Sequence, residues 1–365
     1  MGQVQGTYTS HVIPSTLFRL SAHILIMKVS ALALVLAFAT PTVYGWGASG
    51  HKTVALEAME FLTPKTLRVV KESLGPTYNY SLAGCSSWAD EIRSQPGWGW
   101  SSELHFVDSE DSPPESCSVN TVRDCPTGNC ILGAIANYTQ RVVDKRLSAD
   151  ERQIALKFLD HFLGDIGQPL HVEALAVGGN TIFTKCHNDT VKLHALWDTS
   201  MINILLNTTY KNDTSVWAKS LVSRIRHGAY SSTARSWISC SSTTATEMAS
   251  RNIKDDITEL LDGRAVFQSL NCPMVWARES NSFNCPTVFA FTDGQDLCAP
   301  EYYNPAIAII EKQIAKQGFR LAAWLNVLFD GEHGIHHGCP GPHCDFVIKH
   351  HPRIEGIATH EAHDD

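Results

Sequence analysis

His161-Phe-Leu-Gly-Asp165-Ile-Gly-Gln-Pro169-Leu-His171 is the stretch on which the fold turns, because it sets three strong metal ligands at the end of a helix. Ser148 and Glu151 form a capping box that opens this helix, and Ile154, Phe158, His161 and Asp165 follow along one line. That line is apolar apart from its last two members, so the spacing predicts a buried helix over 149–167. An ionised carboxylate on an apolar stripe is costly to bury alone, and a bound cation would supply its partner. A satisfied core histidine beside an Asp cap is the plainer alternative. Pro169 ends the helix and brings His171 round on the next segment.

Val191-Lys-Leu-His194-Ala-Leu-Trp-Asp198-Thr-Ser-Met-Ile202 repeats the pattern, with His194 and Asp198 one helical turn apart and Leu193, Leu196, Trp197 and Met201 as the apolar face. Two His/Asp helix pairs tip the balance toward a metal. Imidazole and carboxylate together suit zinc, which binds both at about 2.0–2.2 Å and in catalytic sites keeps a position open for water.

The chain of 365 residues is 44% hydrophobic and 18% charged, an ordinary globular composition without internal repeats, and one large domain is the simplest organisation. Its beginning differs. Residues 27–45 have a basic start at Lys28, a short apolar run and small residues before Trp46, and read as a secretory signal cleaved after Gly45. Residues 1–26 read as an upstream extension. Eleven cysteines and five N-x-Ser/Thr sequons, at Asn79, Asn137, Asn188, Asn207 and Asn212, agree with export into an oxidising, glycosylating pathway. The odd cysteine count leaves at least one thiol unpaired or bonded to another chain, and a Cys125–Cys130 bridge is expected on the loop holding Cys117, Cys125 and Cys130. A net charge of −8, with Arg19 and Lys28 the only charges before Trp46, argues against a basic grip on duplex DNA. A nucleic-acid enzyme with this balance would hold phosphate through local metal charge and bases by stacking.

From Trp46 onward the periodicity predicts helices at about 51–62, 64–74, 85–95, 130–147, 149–167, 190–206, 214–228, 243–262 and 303–329, with strand patterns scarce. Ile131, Ile135, Tyr138 and Val142 form a buried stripe that leaves Asn137 outside. Loops at 96–129 and 172–189 flank the metal ligands, and loops of that length are usually functional. Beyond Phe329 the residues 330–365 hold eight of the seventeen histidines with Cys339 and Cys344, and read as a mobile His-rich tail without an assigned role.

Further candidates are His51 in Trp46-Gly-x-x-Gly-His51, Asp90 in Trp88-Ala-Asp90, and His105 in His105-Phe-Val-Asp108. With His161-Phe-x-Gly-Asp-x-x-Gln-Pro-x-His171, Gly178-Gly-Asn180, His194-x-x-Trp-Asp198, Trp276-Ala-x-Glu-Ser280 and Glu311-x-Gln-x-Ala-x-x-Gly-x-Arg-Leu-Ala322, the set resembles the S1/P1 nucleases, secreted zinc-dependent enzymes of fungi, plants and protists. The resemblance runs from Trp46 to about Phe329 and fills every ligand position of the family pattern.

It implies a mainly α protein, a single helical domain of the phospholipase C/P1 nuclease type with long loops and disulfides, over 46–329. It also implies three Zn²⁺. One would be held by Asp90, His105, His161 and Asp165, a close neighbour by His51, a bridging Asp165 and the α-amino and carbonyl groups of Trp46, and a third by His171, His194 and Asp198. An α-amino ligand exists only after cleavage behind Gly45, which ties export to activity. The implied substrates are single-stranded DNA, RNA and 3′-nucleotides, cut to 5′-phosphorylated products by a secreted monomer. Asp90, Asp165 and Asp108 would be the catalytic carboxylates, Asp108 orienting water, while Phe106, Val177 and Asn180 line a base pocket. Two departures stand out. Ser109-Glu-Asp-Ser-Pro113 lacks a lysine found shortly after this aspartate in some fungal members, and Thr181–Thr190, with Cys186 and His187, differs from the aromatic-bearing versions expected there, leaving base preference open.

A zinc phospholipase C resembles the same fold but carries His-x-x-x-Glu in its last ligand helix, where this chain has His194-x-x-x-Asp198. A non-catalytic zinc-binding protein on the same scaffold would be expected to have lost a ligand, and none is lost.

Overall fold

The computed structural model describes residues 46–240 and 252–331. The leader, the first part of the helix expected at 243–262 and nearly all of the His-rich tail lie outside them. The helices are α1 (Ala48–Met59), α2 (Pro64–Leu74), α3 (Trp88–Ile92), α4 (Ile131–Val143), α5 (Ala149–Asp165), α6 (Met201–Thr209), α7 (Thr214–Arg226), α8 (Ile253–Leu261), α9 (Asn271–Asn281) and α10 (Pro300–Asp330). A single antiparallel hairpin, β1 (Phe183–Cys186) with β2 (Asp189–Lys192), is the only sheet among the described residues. The mainly helical class expected from periodicity is correct.

The ligand helix α5 starts as its sequence dictates. Ser148 accepts from the Glu151 amide and the Glu151 carboxylate accepts from the Ser148 amide, closing the capping box. From Ala155 to Asp165 every residue is buried, including Lys157 and Asp160; Ile154, at the edge, is half-buried. An all-round buried helix must have partners on every side. Its aromatic residues meet α4, α3 and the 96–105 segment: Phe158 stacks on Tyr138 at 4.5 Å, meets Trp88 of α3 edge-on at 5.1 Å and lies 6.3 Å from Trp98.

On the other side runs α10, buried along most of its length. Its polar side chains finish what neighbouring helices leave open. Gln313 Nε2 donates to Gly167 O at 3.0 Å, and Ser280 Oγ of α9 donates to Ile166 O at 2.6 Å, satisfying carbonyls just past the end of α5. Asn326 accepts from the Thr63 amide at 2.8 Å and donates to Phe61 O at 3.0 Å, fixing the α1–α2 turn. The motif residue Ser280 thereby has a structural task.

Several element expectations need correction. Residues 190–192 lie in β2 rather than a helix, because Thr190-Val-Lys pairs with Phe183-Thr-Lys; the helical segment starts at Leu193 and passes through a π-helical turn, Leu196–Ser200, before α6. The 172–189 loop therefore contains a strand. In place of 85–95 only Trp88–Ile92 is α-helical, and α9 was not expected at all. The 96–129 loop holds a 3-10 turn, Gly99–His105, and a short helix, Thr121–Asp124.

Among the described residues four disulfides join Cys117–Cys285, Cys125–Cys130, Cys186–Cys298 and Cys240–Cys272. The short bridge is the one expected. Cys85 is the free, buried thiol among the described residues. All five sequon asparagines are exposed.

Candidate metal centre

Five segments bring the predicted ligands together at the inner end of α5. His161 and Asp165 come from α5 itself, His171 from the 3-10 turn Pro169–Val172, His51 from α1, Asp90 from α3 and His105 from the end of the Gly99–His105 turn. All are buried. Asp165 is the hub: its carboxylate lies 3.0 Å from His51 Nε2, 3.0 Å from His105 Nδ1, 3.2 Å from His161 Nε2 and 3.7 Å from His171 Nδ1. Asp90 lies 3.6 Å from His161 and 3.7 Å from His105, with Arg93 at 3.0 Å behind it. His51 stacks on His161 at 3.7 Å.

Small residues permit this crowding. A side chain at Gly164 would press on His51 Nδ1 at 2.9 Å, and one at Gly50 on the Trp46 Cβ at 2.7 Å. The fully buried Trp46 donates its indole Nε1–H to Gly164 O at 3.0 Å, and the Gly47 amide donates to Asp198 O at 2.9 Å. The start of the domain is thus fastened between the two ligand groups.

The second group is His171, His194 and Asp198. Gln168, through its side-chain amide, donates to Asp198 Oδ1 at 2.5 Å, and His194 Nε2 lies 3.0 Å from Asp198 Oδ2. Backbone carbonyls aim the rings. His161 Nδ1 donates to Ser86 O at 2.7 Å, His171 Nδ1 to His105 O at 2.8 Å and His194 Nδ1 to Gly178 O at 2.6 Å. A carbonyl can only accept, so each Nδ1 carries a proton and each ring turns its Nε2 toward the centre. The Nε2 atoms of His171 and His194 face each other at 3.2 Å, within reach of the Asp198 carboxylate, an arrangement a shared cation would suit.

The first group would suit one as well. His51 Nδ1 and Nε2, His105 Nε2, His161 Nε2, Asp90 Oδ1 and Asp165 Oδ1 are buried without a hydrogen-bond partner. Burial pushes His105 down to about 4 and lowers His51, keeping both neutral. Although burial opposes it, His161 pulls Asp165 well below the usual carboxylate range and lowers Asp90. The same two carboxylates raise His161 against its own burial. Ionised carboxylates and imidazoles converging in an interior fit divalent zinc.

Beside this centre is a small cleft lined by Phe106, Asp108, Leu170, Glu173, Val177, Gly178, Asn180 and His194. Its far wall is a left-handed turn, with Ala176, Val177, Gly178 and Gly179 at φ of 54°, 58°, 56° and 77°. Positive φ is unusual for a β-branched valine, and the turn leaves Val177 63% exposed. Asn180 Nδ2 donates to Val177 O at 2.9 Å. Asp108 stands at the rim, its carboxyl raised by partial burial and by Glu110, Glu103 and Asp124.

A model of the S1/P1 nuclease family matches residues 46–330. The chain belongs to the S1/P1 nuclease family. Nuclease P1 of Penicillium citrinum is 40% identical over 291 residues, which cover 79% of this chain and 99% of that protein. Nuclease S1 of Aspergillus oryzae is 34% identical, covering 83% and 97%, and endonuclease 3 of Arabidopsis thaliana 30%, covering 79% and 90%. This S1/P1-type nuclease is therefore a zinc-dependent phosphodiesterase, and its His/Asp clusters are groups that can hold metal.

Some residues around the nuclease centre had no role assigned from the sequence, although Gln168 stood in a quoted motif. Gln168 steers Asp198. Asn284 and Asn281 hold the His171 turn by donating to Pro169 O at 3.1 Å and Val172 O at 3.0 Å. Glu173, pushed up to about 7 chiefly by burial, accepts from Asn284 at 2.9 Å. The loop that diverges from family expectation does carry an exposed aromatic, Phe183. Its signal was the alternation Phe183-Thr-Lys-Cys186, which reads as a half-buried strand.

Proposed function

We propose that this nuclease is exported and hydrolyses phosphodiester bonds of single-stranded DNA and RNA to 5′-phosphorylated products, also removing 3′-phosphates from mononucleotides, with three Zn²⁺. The observation that carries it is the convergence of three buried His/Asp groups whose donor atoms lie close enough to share metal ions, with carboxylate oxygens of Asp90 and Asp165 buried without a hydrogen bond. Asp90, His105, His161 and Asp165 would hold one ion, Asp165, His51 and the Trp46 amine and carbonyl its neighbour, and His171, His194 and Asp198 the third. When bound, zinc supplies positive charge for the phosphodiester and an acidified water for attack on phosphorus.

The chain's own residues do the rest. Asp108 accepts a hydrogen bond from the attacking water and aligns it. Phe106 offers a ring face to a base, Val177 closes the opposite side, and Asn180, whose Nδ2 is engaged by Val177 O, keeps Oδ1 for a base-edge donor. A base must leave its stack to lie there, which is least costly where it is unpaired. Asp90, Asp165 and Asp198 set their charge against the ions, leaving the site positive on an acidic protein.

The leader tests the assignment. Chain starting at Trp46 should bind close to three zinc ions and digest single-stranded DNA, whereas chain retaining Gly45 and earlier residues should bind fewer and be nearly inactive. Full activity in the uncleaved form, or fewer than two tightly bound metals in the processed form, would defeat it. Occupied glycans at the five exposed sequons would support export.

A further inference from the structure

The two walls of the cleft come from different segments, and backbone pairing joins them only part of the way. The Val107 amide donates to His171 O at 2.9 Å and the Ala174 amide to Ser109 O at 3.1 Å. Beyond Ala174 the amides of Val177, Gly179, Asn180 and Thr181 bond within their own turn, as in Gly179 to Leu175 O at 3.0 Å. That turn holds Ala176 and Val177 at positive φ, and such a strained backbone persists only where its surroundings over-determine it. Side chains must supply the rest of the hold.

Two acids supply it, one from each wall. The buried Glu173 accepts from the Leu175 amide through Oε1 at 2.9 Å, at the entry to the turn, and from Asn284 Nδ2 through Oε2 at 2.9 Å. Asp111, on the segment that carries Phe106 and Asp108, accepts through Oδ2 from the Ser118 amide at 2.7 Å and from Asn281 Nδ2 at 2.8 Å. Asn281 ends α9 and Asn284 opens the π-helical turn Asn284–Val288 just past it, so both walls hang on one point of the scaffold. Glu173 and Asp111 also lie within hydrogen-bond reach of each other, and Asp111 Oδ1 is a buried atom to which no donor points.

Neither acid belongs to a ligand cluster, yet Glu173 lines the cleft together with Phe106, Val177 and Asn180. The gap between Phe106 and Val177 is therefore set by what ties the Asp111 segment to Leu175. A displacement of about 1 Å in such a gap can cost as much as roughly 10²-fold in rate or affinity.

We propose that Glu173 and Asp111 are positioning residues for the reaction: anchored through Asn284 and Asn281 to the end of α9, they hold the two walls of the cleft at the separation a base needs. It rests on the nuclease reading above. The acids act on the base end of the substrate and leave the phosphate end to the metal centre, which gives the idea a readout that a purely structural role would not share.

The test uses zinc-loaded protein starting at Trp46, with 3′-AMP as substrate and 5′-AMP and inorganic phosphate as calorimetric probes. In Glu173→Ala and in Asp111→Ala the KM for 3′-AMP and the Kd for 5′-AMP should each rise roughly tenfold with a smaller change in kcat, as expected when binding geometry loosens around intact chemistry. The Kd for phosphate, which has no base to hold, and the zinc content should stay at wild-type values. Asp111→Asn keeps an oxygen for Ser118 and Asn281 and sets an N–H at the unpartnered position, so it should bind 5′-AMP as wild type does. The double alanine variant should be no weaker than the poorer single one, because the two acids act as a unit. Glu173→Gln keeps the bulk and one acceptor; should Glu173→Ala fail to fold, it should show the same contrast between 5′-AMP and phosphate in smaller measure. Folded variants with wild-type affinity for 5′-AMP, or phosphate affinity falling in step with that for 5′-AMP, would overturn the proposal while leaving the nuclease reading intact. Wild-type protein that cleaves neither 3′-AMP nor single-stranded DNA would overturn both.

Discussion

Gly178 shows how much one position without a side chain can hold. Its carbonyl accepts from His194, its φ is +56°, and an added Cβ would lie 2.5 Å from Leu170 O. Gly178→Ala should therefore displace the His194 ring rather than unfold the protein, losing about 10–100-fold in affinity for the metal at that group. Metal analysis during stepwise chelation would detect one weakened ion against a background of retained helicity. Asp108→Asn asks the complementary question. Asp108 belongs to none of the ligand clusters, so the variant should keep its full metal content while kcat drops by about 10²–10⁴. Loss of zinc in parallel with activity would instead make it a ligand. The candidate pairs His161/Asp165 and His194/Asp198 were legible because His and Asp one turn apart on a buried stripe make sense as metal donors, while His51, Asp90 and His105 were legible only through the family resemblance. The roles of Gln168, Asn281 and Asn284 were not, because a side-chain amide that bonds a distant carboxylate or carbonyl has no local pattern.

At the scale of elements, periodicity found most helices and erred where a second rule competed. Thr190-Val-Lys192 looked like the start of a helix because His194 and Asp198 set a helical phase just beyond it, but β-branched residues opposite Phe183-Thr-Lys185 favour pairing. The ends of 85–95 failed for lack of a capping pattern, and α9 was hidden by Pro273, which sits harmlessly in its first turn. The contact between α1 and α10 was equally invisible. There Glu57 is fully buried against Gly318, both carboxylate oxygens lack a hydrogen bond, and burial raises its carboxyl well above the ordinary value. The sign follows directly. Below an unfolded value of about 4.5 the carboxyl is neutral in both states; above it the unfolded chain ionises first, and stability falls until the folded value is reached. Glu57→Gln should remove that fall, so its melting temperature should gain on wild type as pH rises from 4.5 toward neutrality. A constant difference across this range would mean that Glu57 is partnered after all.

Taken whole, the molecule builds its centre from segments spread over the first half of the domain, from His51 to Asp198, while three of the four disulfides among the described residues tie distant segments, as in Cys117–Cys285. The short Cys125–Cys130 bridge could be read from sequence; the long ones could not, since spacing does not dictate connectivity. Neither covalent ties nor core packing neutralise the interior charge around Asp165. Arg93 beside Asp90 and the raised His161 offset only part of it, so bound zinc would couple metal binding to folding. An ion held with free concentration near 1,000 times its Kd contributes about 4 kcal/mol. For a domain of this size that is roughly 5–15 °C in melting temperature per tightly bound ion. Chelation of processed protein should lower the midpoint by at least that much, and zinc should restore it in steps that follow metal content. The disulfides would keep the apo chain from full expansion, so helicity at low temperature should survive while the midpoint drops. A midpoint unmoved after metal analysis shows the ions gone would mean that the charged interior relaxes without them.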